Sequence, residues 1–184
     1  MIDIVLSFIG IVVLALAMIV FAFIIKAEDP GPVFFRQKRI GIHKTQFSLL
    51  KFRSMKMSTP HDMPTHMLEN PEQYILRCGR WMRKMSIDEL PQLFNIFTGK
   101  MSIIGPRPAL WNQDDLIAER DKYGANDVKP GLTGWAQVNG YRGDTSIRKR
   151  IDCDLYYIEN WSIGFDIKIL FLTIFKGFIN KNAY

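Results

Sequence analysis

Residues 4 to 25 read IVLSFIGIVVLALAMIVFAFII, 22 consecutive positions without a charge, of which only Ser7 and Gly10 fall outside the apolar set. A helix of that length reaches roughly 33 Å at about 1.5 Å per residue, close to the thickness of a bilayer hydrocarbon core. The stretch is too long and too apolar for an ordinary core helix, which argues against a freely soluble protein. It opens on Met1, Ile2 and Asp3 and leaves into Lys26, Ala27, Glu28 and Asp29, without the basic start, shorter apolar run and small-residue cleavage site of a secretory signal. The expectation is a retained membrane-anchoring helix over 1–26 followed by a single domain over 27–184, since the remaining 158 residues suffice for one core and not comfortably for two.

The whole chain has 184 residues, with 24 Lys and Arg against 18 Asp and Glu, and the basic excess is clustered. Arg36, Lys38, Arg39, Lys44, Lys51, Arg53 and Lys56 follow the apolar run with no acidic residue among them, which by the positive-inside bias puts this flank and the domain on the cytoplasmic face. Such a patch also attracts anionic headgroups of the membrane lipids. Nucleic acid is disfavoured, because no helix-turn-helix, zinc-ligand or RNP-like pattern accompanies the charge. Cys78 and Cys153 stand far apart without CxxC spacing and read as free thiols in a reducing compartment.

Beyond the anchor, Pro30-Gly31-Pro32 is a turn, and the segments 33–35 and 46–52 around Gly41 read as a short β-hairpin with its basic residues on one face. Residues 58–71 read as a polar loop, in which His61, Asp62 and His66 are taken as solvated in preference to metal-binding. Helical spacing runs from Glu72 to Lys84, from Ser86 to Gly99, over a charged surface helix at Trp111–Tyr123, and again at Ile147–Trp161 and Phe165–Ile179; Thr133–Val138 is a strand or an extended loop. The fold class is therefore α+β, mostly helical, with an N-terminal membrane helix, a small hairpin and a C-terminal amphipathic helix at the interface. On that last helix Trp161, Phe171, Phe175 and Phe178 with Lys168, Lys176 and Lys181 suit a headgroup region, against the alternative of a core helix.

Two segments carry chemistry. In Ser86-Ile87-Asp88-Glu89-Leu90-Pro91-Gln92, a capping box between Ser86 and Glu89 would explain Glu89 but leaves Asp88 without a reason. Adjacent carboxylates at a helix start are kept ionised by the dipole, so Asp88 suits a nucleophile or a metal ligand. In Gly105-Pro106-Arg107-Pro108 two prolines restrict the backbone around one arginine, presenting its guanidinium as a phosphate clamp at low entropic cost. Carboxylates beside a held arginine point to phosphoryl chemistry, normally completed by a divalent cation with oxygen ligands, Mg²⁺ for preference. No P-loop or kinase pattern is present, so ATP is not the obvious substrate.

At these residues the chain resembles a known family. The segments 33–37, 50–55, 86–92, 101–108 and 129–140, in that order and over essentially the whole chain, are similar to the bacterial sugar transferases, the monotopic polyprenyl-phosphate phosphoglycosyl transferases. The resemblance implies an Asp88-Glu89 dyad that transfers a sugar 1-phosphate from a UDP-sugar to polyprenyl (undecaprenyl) phosphate and releases UMP. Asp88 would be the nucleophile forming a covalent phosphosugar and a ligand of Mg²⁺, with Glu89 as base or orienting partner. It further implies Lys51, Arg83 and Arg107 near phosphate and Gln137 and Arg142 at the nucleotide and sugar end, while Asp154 and Asp166 match acidic positions here read as structural. The setting it implies is the first membrane step of a bacterial polysaccharide pathway such as exopolysaccharide biosynthesis, at the inner membrane, with a homodimer left open.

The sequence departs from the family at its anchor. A re-entrant helix broken by a Ser-Pro pair is expected, yet the matching residues are Ala15 and Leu16, and the basic pair before Asp3 is missing. A straight span with Met1 outside is thus the alternative to a re-entrant insertion. The carboxyl end resembles long-form glucose-phosphate transferases with extra N-terminal helices and a regulatory domain, so the chain reads as a short form, the catalytic part of a long form, or an engineered sequence. UDP-glucose and UDP-galactose head the donor expectations, an N-acetylated sugar close behind. The rival functions are a peripheral scaffold binding anionic lipid, with Asp88-Glu89 only a cap, and a UDP-sugar hydrolase.

Overall fold

The apolar run forms one unbroken helix, α1 (Ile2–Glu28), in a computed structural model that describes residues 1–59, 70–141 and 146–179. With no proline inside it, its ladder continues straight through Ala15-Leu16. It touches the rest of the chain along one narrow stripe: Ser7, Ile11, Leu14, Met18, Phe21 and Ile25, alternately four and three residues apart, are buried or half-buried. The rest of its surface is bare hydrocarbon, with Val13, Leu16 and Phe23 more than 70% exposed. An apolar surface of that extent is unsuited to water and fits lipid. Among the described residues α1 is the one helix long and apolar enough to cross a membrane.

Both ends of α1 are tied down. The Asp3 carboxylate accepts hydrogen bonds from Ser102 Oγ (2.9 Å) and Ile103 N (3.1 Å). At the other end, Asp29 accepts from Arg53 Nη1 and from Met57 N, each at 2.9 Å, and Glu28 accepts from the amides of Arg77 and Cys78. Those two amides open helix α2 (Arg77–Lys84) and lack partners within it, so Glu28 caps a neighbouring helix with its carboxylate. Ser7 and Gly10, the two positions of the run outside the apolar set, seat α3 (Gln92–Phe97): Ser7 is fully buried, and a Cβ at Gly10 would press on Leu93 Cδ1 at 3.3 Å.

Strands β1 (Phe34–Ile40) and β2 (Gln46–Phe52) form the expected antiparallel hairpin, with Phe34 opposite Phe52 and Ile40 opposite Gln46. The basic residues do not share one face. Alternation puts Phe47, Leu49 and Lys51 on the side packed against Ile96 and Met101, whereas Phe52 on the opposite side packs with Ile25, Leu76 and Met82. Arg36 and Lys38 are exposed, Arg39 is half-buried, and Arg53 is buried in its pair with Asp29. Helix α2 starts later than its pattern suggests, because residues 71–74 form a separate 3-10 turn.

A second small sheet pairs β3 (Ser102–Ile104) in parallel with β4 (Gly131–Thr133), which the sequence did not announce. Two backbones cross there at glycines: a Cβ on Gly131 or Gly134 would collide with Gly105, and one on Gly105 with the Lys129 carbonyl. The charged segment becomes α4 (Asp114–Asp121), and Trp135–Val138 is a short helix, α5, and not a strand, since Gly134 turns the chain out of β4. Helices α6 (Ile147–Glu159) and α7 (Ile163–Ile179) close the domain. Ile169 of α7 is fully buried with Ile104 and Val138, while Ile163, Ile167, Phe171 and Ile174 form an exposed apolar stripe. The core reading of this helix therefore holds for one of its faces, while the other is apolar and exposed.

Gly131→Ala is expected to destabilise the fold by about 2 kcal/mol through overpacking of two backbones. Gly164→Ala, where a Cβ meets nothing within 4 Å, should be neutral or mildly stabilising. Thermal unfolding of both variants in detergent micelles checks the pair.

Candidate active site

The segment Ser86 to Gln92 starts with a sharp turn. Ser86 is left-handed (φ 55°), and its side chain caps nothing; its carbonyl accepts from Glu89 N at 3.1 Å, closing the 3-10 turn Ile87–Glu89. The capping box does not form, and Glu89 is thereby released for another partner. Its Oε1 accepts from Lys51 Nζ (2.9 Å) and from Arg107 Nη2 (2.8 Å), joining β2 to the Gly105–Pro108 loop through one oxygen. Asp88 is 8% exposed and lies 4.0 Å from Lys51 Nζ, beyond hydrogen-bond length. Arg83, in the last turn of α2, donates to Ser54 Oγ at 2.9 Å and adds its positive field at Asp88.

The two carboxylates sit side by side and titrate in opposite directions. Burial raises the Asp88 pKa above the ordinary range, and Glu89 adds to the rise against the pull of Lys51. Burial acts the same way on Glu89, but Arg107 and Lys51 overwhelm it and hold that group far below the carboxylate range. Burial lowers the Lys51 pKa, with Glu89 opposing. Glu89 is thus a fixed anion that keeps two cations in place, and Asp88 is the more basic oxygen beside them.

The structure therefore brings together Asp88, Glu89, Lys51 and Arg107, with Arg83 next to them. Gln137 is buried in α5, where its Nε2 donates to the Leu132 carbonyl at 3.3 Å and its Oε1 has no hydrogen-bond partner among the described residues. No described hydrogen bond or ion pair joins it to the carboxylates. Arg142, His61, Asp62 and His66 lie outside the described residues. Asp154 is buried and paired with Arg120, and Asp166 accepts from Tyr157 Oη (2.9 Å) and Trp161 Nε1 (3.2 Å). Among the described residues no group of three or more His, Cys, Asp and Glu side chains is placed to hold a metal ion. Both cysteines are free, and burial followed by Glu28 pushes the Cys78 thiol up to about 12.

Sequence reasoning missed Arg39, Arg120 and Arg150, which donate to the main-chain carbonyls of Arg107 and Pro108. Local pattern carries no signal for a side chain that reaches the backbone of a segment far away in sequence.

The chain thus joins a long, largely exposed apolar helix to a domain with a buried carboxylate pair beside basic residues. The profile of the bacterial sugar transferase family matches residues 1–180, and the chain belongs to that family. It is 42% identical to the UDP-glucose:undecaprenyl-phosphate glucose-1-phosphate transferase of Escherichia coli (strain K12), over 99% of this chain and 40% of that protein. It is 39% identical to the UDP-N-acetylgalactosamine-undecaprenyl-phosphate N-acetylgalactosaminephosphotransferase of Aeromonas hydrophila, over 94% of this chain and 41% of the relative. An uncharacterized sugar transferase of Bacillus subtilis (strain 168), EpsL, is 41% identical over 86% of this chain and 76% of its own length. The chain thus spans about two fifths of the longer relatives.

Glu89→Gln leaves two half-buried cations without their anion and is expected to cost about 3 kcal/mol. The stabilisation that Glu89 supplies is complete above its unfolded pKa of about 4.3 and is lost only as pH falls toward its far lower folded value. Asp88→Asn has the opposite sign. Because the folded pKa of Asp88 is raised, ionising it costs stability as pH rises from about 4 through that value, so the variant should melt higher than wild type at neutral pH and lose the advantage in acid. Unfolding midpoints of both variants between pH 2 and 8 check these signs.

Proposed function

We propose that this chain transfers a sugar 1-phosphate from a UDP-sugar to undecaprenyl phosphate, releasing UMP, through a covalent phosphosugar on Asp88. The observation that carries this reading is the pairing of a buried, basic carboxylate with two cations that a neighbouring carboxylate holds in place. An Asp88 oxygen attacks the phosphorus that bears the sugar, and the bond from that phosphorus to the bridging oxygen breaks, with UMP taking the electron pair. An oxygen of the lipid phosphate then attacks the same phosphorus and Asp88 leaves as a carboxylate. Attack by a carboxylate and by a phosphate oxygen, each in its ionised form, requires no proton to be removed. A base is unnecessary, which fits Glu89 as orienting partner in place of general base.

Lys51 and Arg107 are placed to bind the phosphoryl oxygens, as charge-assisted donors whose energy grows as charge develops on the leaving group. Arg83 contributes a third positive charge. The unpartnered Oε1 of Gln137 is an acceptor suited to an N–H or O–H of the nucleotide or sugar. Among the described residues Asp88 is the carboxylate of the site without a short ion pair, and a divalent cation would be held by it and by diphosphate oxygens, a donor set that suits Mg²⁺. Bound there, Mg²⁺ would neutralise the diphosphate.

The same reading places α1 in one leaflet. A straight span would carry the Asp3 end away from the domain, whereas Asp3 and Asp29 are both bound to it. The exposed apolar surfaces of α1 and α7, two helices that both pack on β3, form the membrane contact at the cytoplasmic face of the bacterial inner membrane, where the lipid phosphate lies. The donor sugar is among those of the relatives, glucose and N-acetylgalactosamine included.

The test is UMP release from a panel of UDP-sugars with Mg²⁺ and undecaprenyl phosphate. Wild type should turn over only with lipid present, releasing no more than one equivalent of UMP per enzyme without it, and Asp88→Asn should lower turnover by about 10³-fold or more. Multiple turnover without lipid would make the protein a hydrolase, and no release from any donor would leave a lipid-binding scaffold.

A further inference from the structure

The Arg107 loop is gripped from behind by three guanidinium groups. Arg120 Nη1 from α4 and Arg150 Nη2 from α6 both donate to the Arg107 carbonyl, at 3.0 and 3.1 Å, and Arg39 Nη1 from β1 donates to the Pro108 carbonyl at 2.9 Å. Arg120 and Arg150 are 3% and 5% exposed. Asp154, 2% exposed, faces them and accepts from Arg120 Nε (3.1 Å) and Nη2, while Gln37 Oε1 takes Nε and Nη2 of Arg39.

In this loop the Pro106 carbonyl takes a backbone amide, that of Gly131 at 2.9 Å, whereas the carbonyls of Arg107 and Pro108 take side-chain donors. Neutral donors would serve that purpose at a lower desolvation cost than buried guanidinium groups. The crowding is felt in the charges themselves: burial, then Arg107 and Arg150, bring Arg39 down to about 9, and burial, then Arg120, bring Arg150 down to about 10. Buried Arg150 Nε has no hydrogen-bond partner among the described residues. An excess of positive charge this close to Arg107 is best balanced by an incoming anion carrying more than one negative charge, such as a diphosphate.

We propose that Asp154, Arg120, Arg150 and Arg39 are positioning residues that act through Arg107. Asp154 orients the plane of Arg120; Arg120 and Arg150 hold the carbonyl of residue 107; and the guanidinium of Arg107 is thereby kept beside Lys51, aimed at the phosphoryl group. This rests on the phosphosugar-transfer reading, and its test is arranged so that the two can fail separately.

The test is a pair of double-mutant cycles on the full chain in nanodiscs, combining Asp154→Asn, and in parallel Arg120→Lys, with Arg107→Ala. Turnover of the best UDP-sugar and binding of inorganic pyrophosphate are both measured. Displacing Arg107 by an ångström is expected to lower kcat/KM about 10²-fold for Asp154→Asn and comparably for Arg120→Lys, which keeps the charge but not the fork. In the Arg107→Ala background both should have almost no further effect, on turnover or on pyrophosphate binding. Losses that multiply in the double variants, or single variants that behave as wild type, overturn the proposal; if Asp154→Asn does not fold, the Arg120→Lys cycle decides. Coupled pyrophosphate binding without turnover of any donor upholds the positioning role and removes the transferase reading. Turnover with multiplying losses does the reverse, and neither turnover nor pyrophosphate binding removes both.

Discussion

One oxygen atom, Oε1 of Glu89, holds the site together. It meets Lys51 from the hairpin and Arg107 from the loop after β3, two cations that would otherwise repel each other in a half-buried place. Everything around the site serves to bring three distant segments to that point. Strand alternation carries Lys51 inward on the face of Phe47 and Leu49, and the left-handed Ser86 turns the chain so that Glu89 faces the cations. The glycine crossing of 105 over 131 and 134 lets the arginine loop lie flat against its neighbour. A change in any of the three would leave charge buried without its counterpart, which costs more than the pair gains when it forms.

The apolar helix is held to this framework by polar contacts at its ends and by a narrow stripe along its length. Asp3 grips the start of β3 and Glu28 caps α2, so the helix is fixed relative to the two segments that flank the site. Attached only at its last residue, such a helix would swing on a flexible joint. Attachment at both ends removes that freedom, so the exposed apolar face of α1 keeps one orientation relative to the site.

Much of this was legible because it was local. The length of the run, the hairpin around Gly41, the stop at Gly99 and the unusual Asp88-Glu89 pair all follow from neighbouring residues, as does the loop of Gly105 to Pro108. Contacts between distant segments were not. Ser7 and Gly10, which interrupt the apolar run, are a seat for α3, with Gly10 against Leu93; Trp135 to Val138, whose pattern allowed a strand, is helical because β4 has already ended at Thr133. The charged segment around α4 has the composition of a solvated face, yet Arg120 points inward to Asp154, a partner supplied 34 residues later. A buried ion pair leaves no periodic trace when its members lie on different helices.

The proposed chemistry explains why two adjacent carboxylates are set so far apart in basicity. A nucleophile gains from a raised pKa, because the same burial that raises it strips the oxygen of water, but it must remain ionised near neutrality to attack. Lys51 supplies that restraint from 4.0 Å: near enough to favour the anion, too far to tie up its lone pairs in a hydrogen bond. A direct ion pair would stabilise Asp88 and blunt it, as happens to Glu89, which takes both short contacts. The division of labour thus comes from geometry: the cations are bonded to the neighbour of the reactive group, and that neighbour holds them within range of whatever phosphate Asp88 attacks.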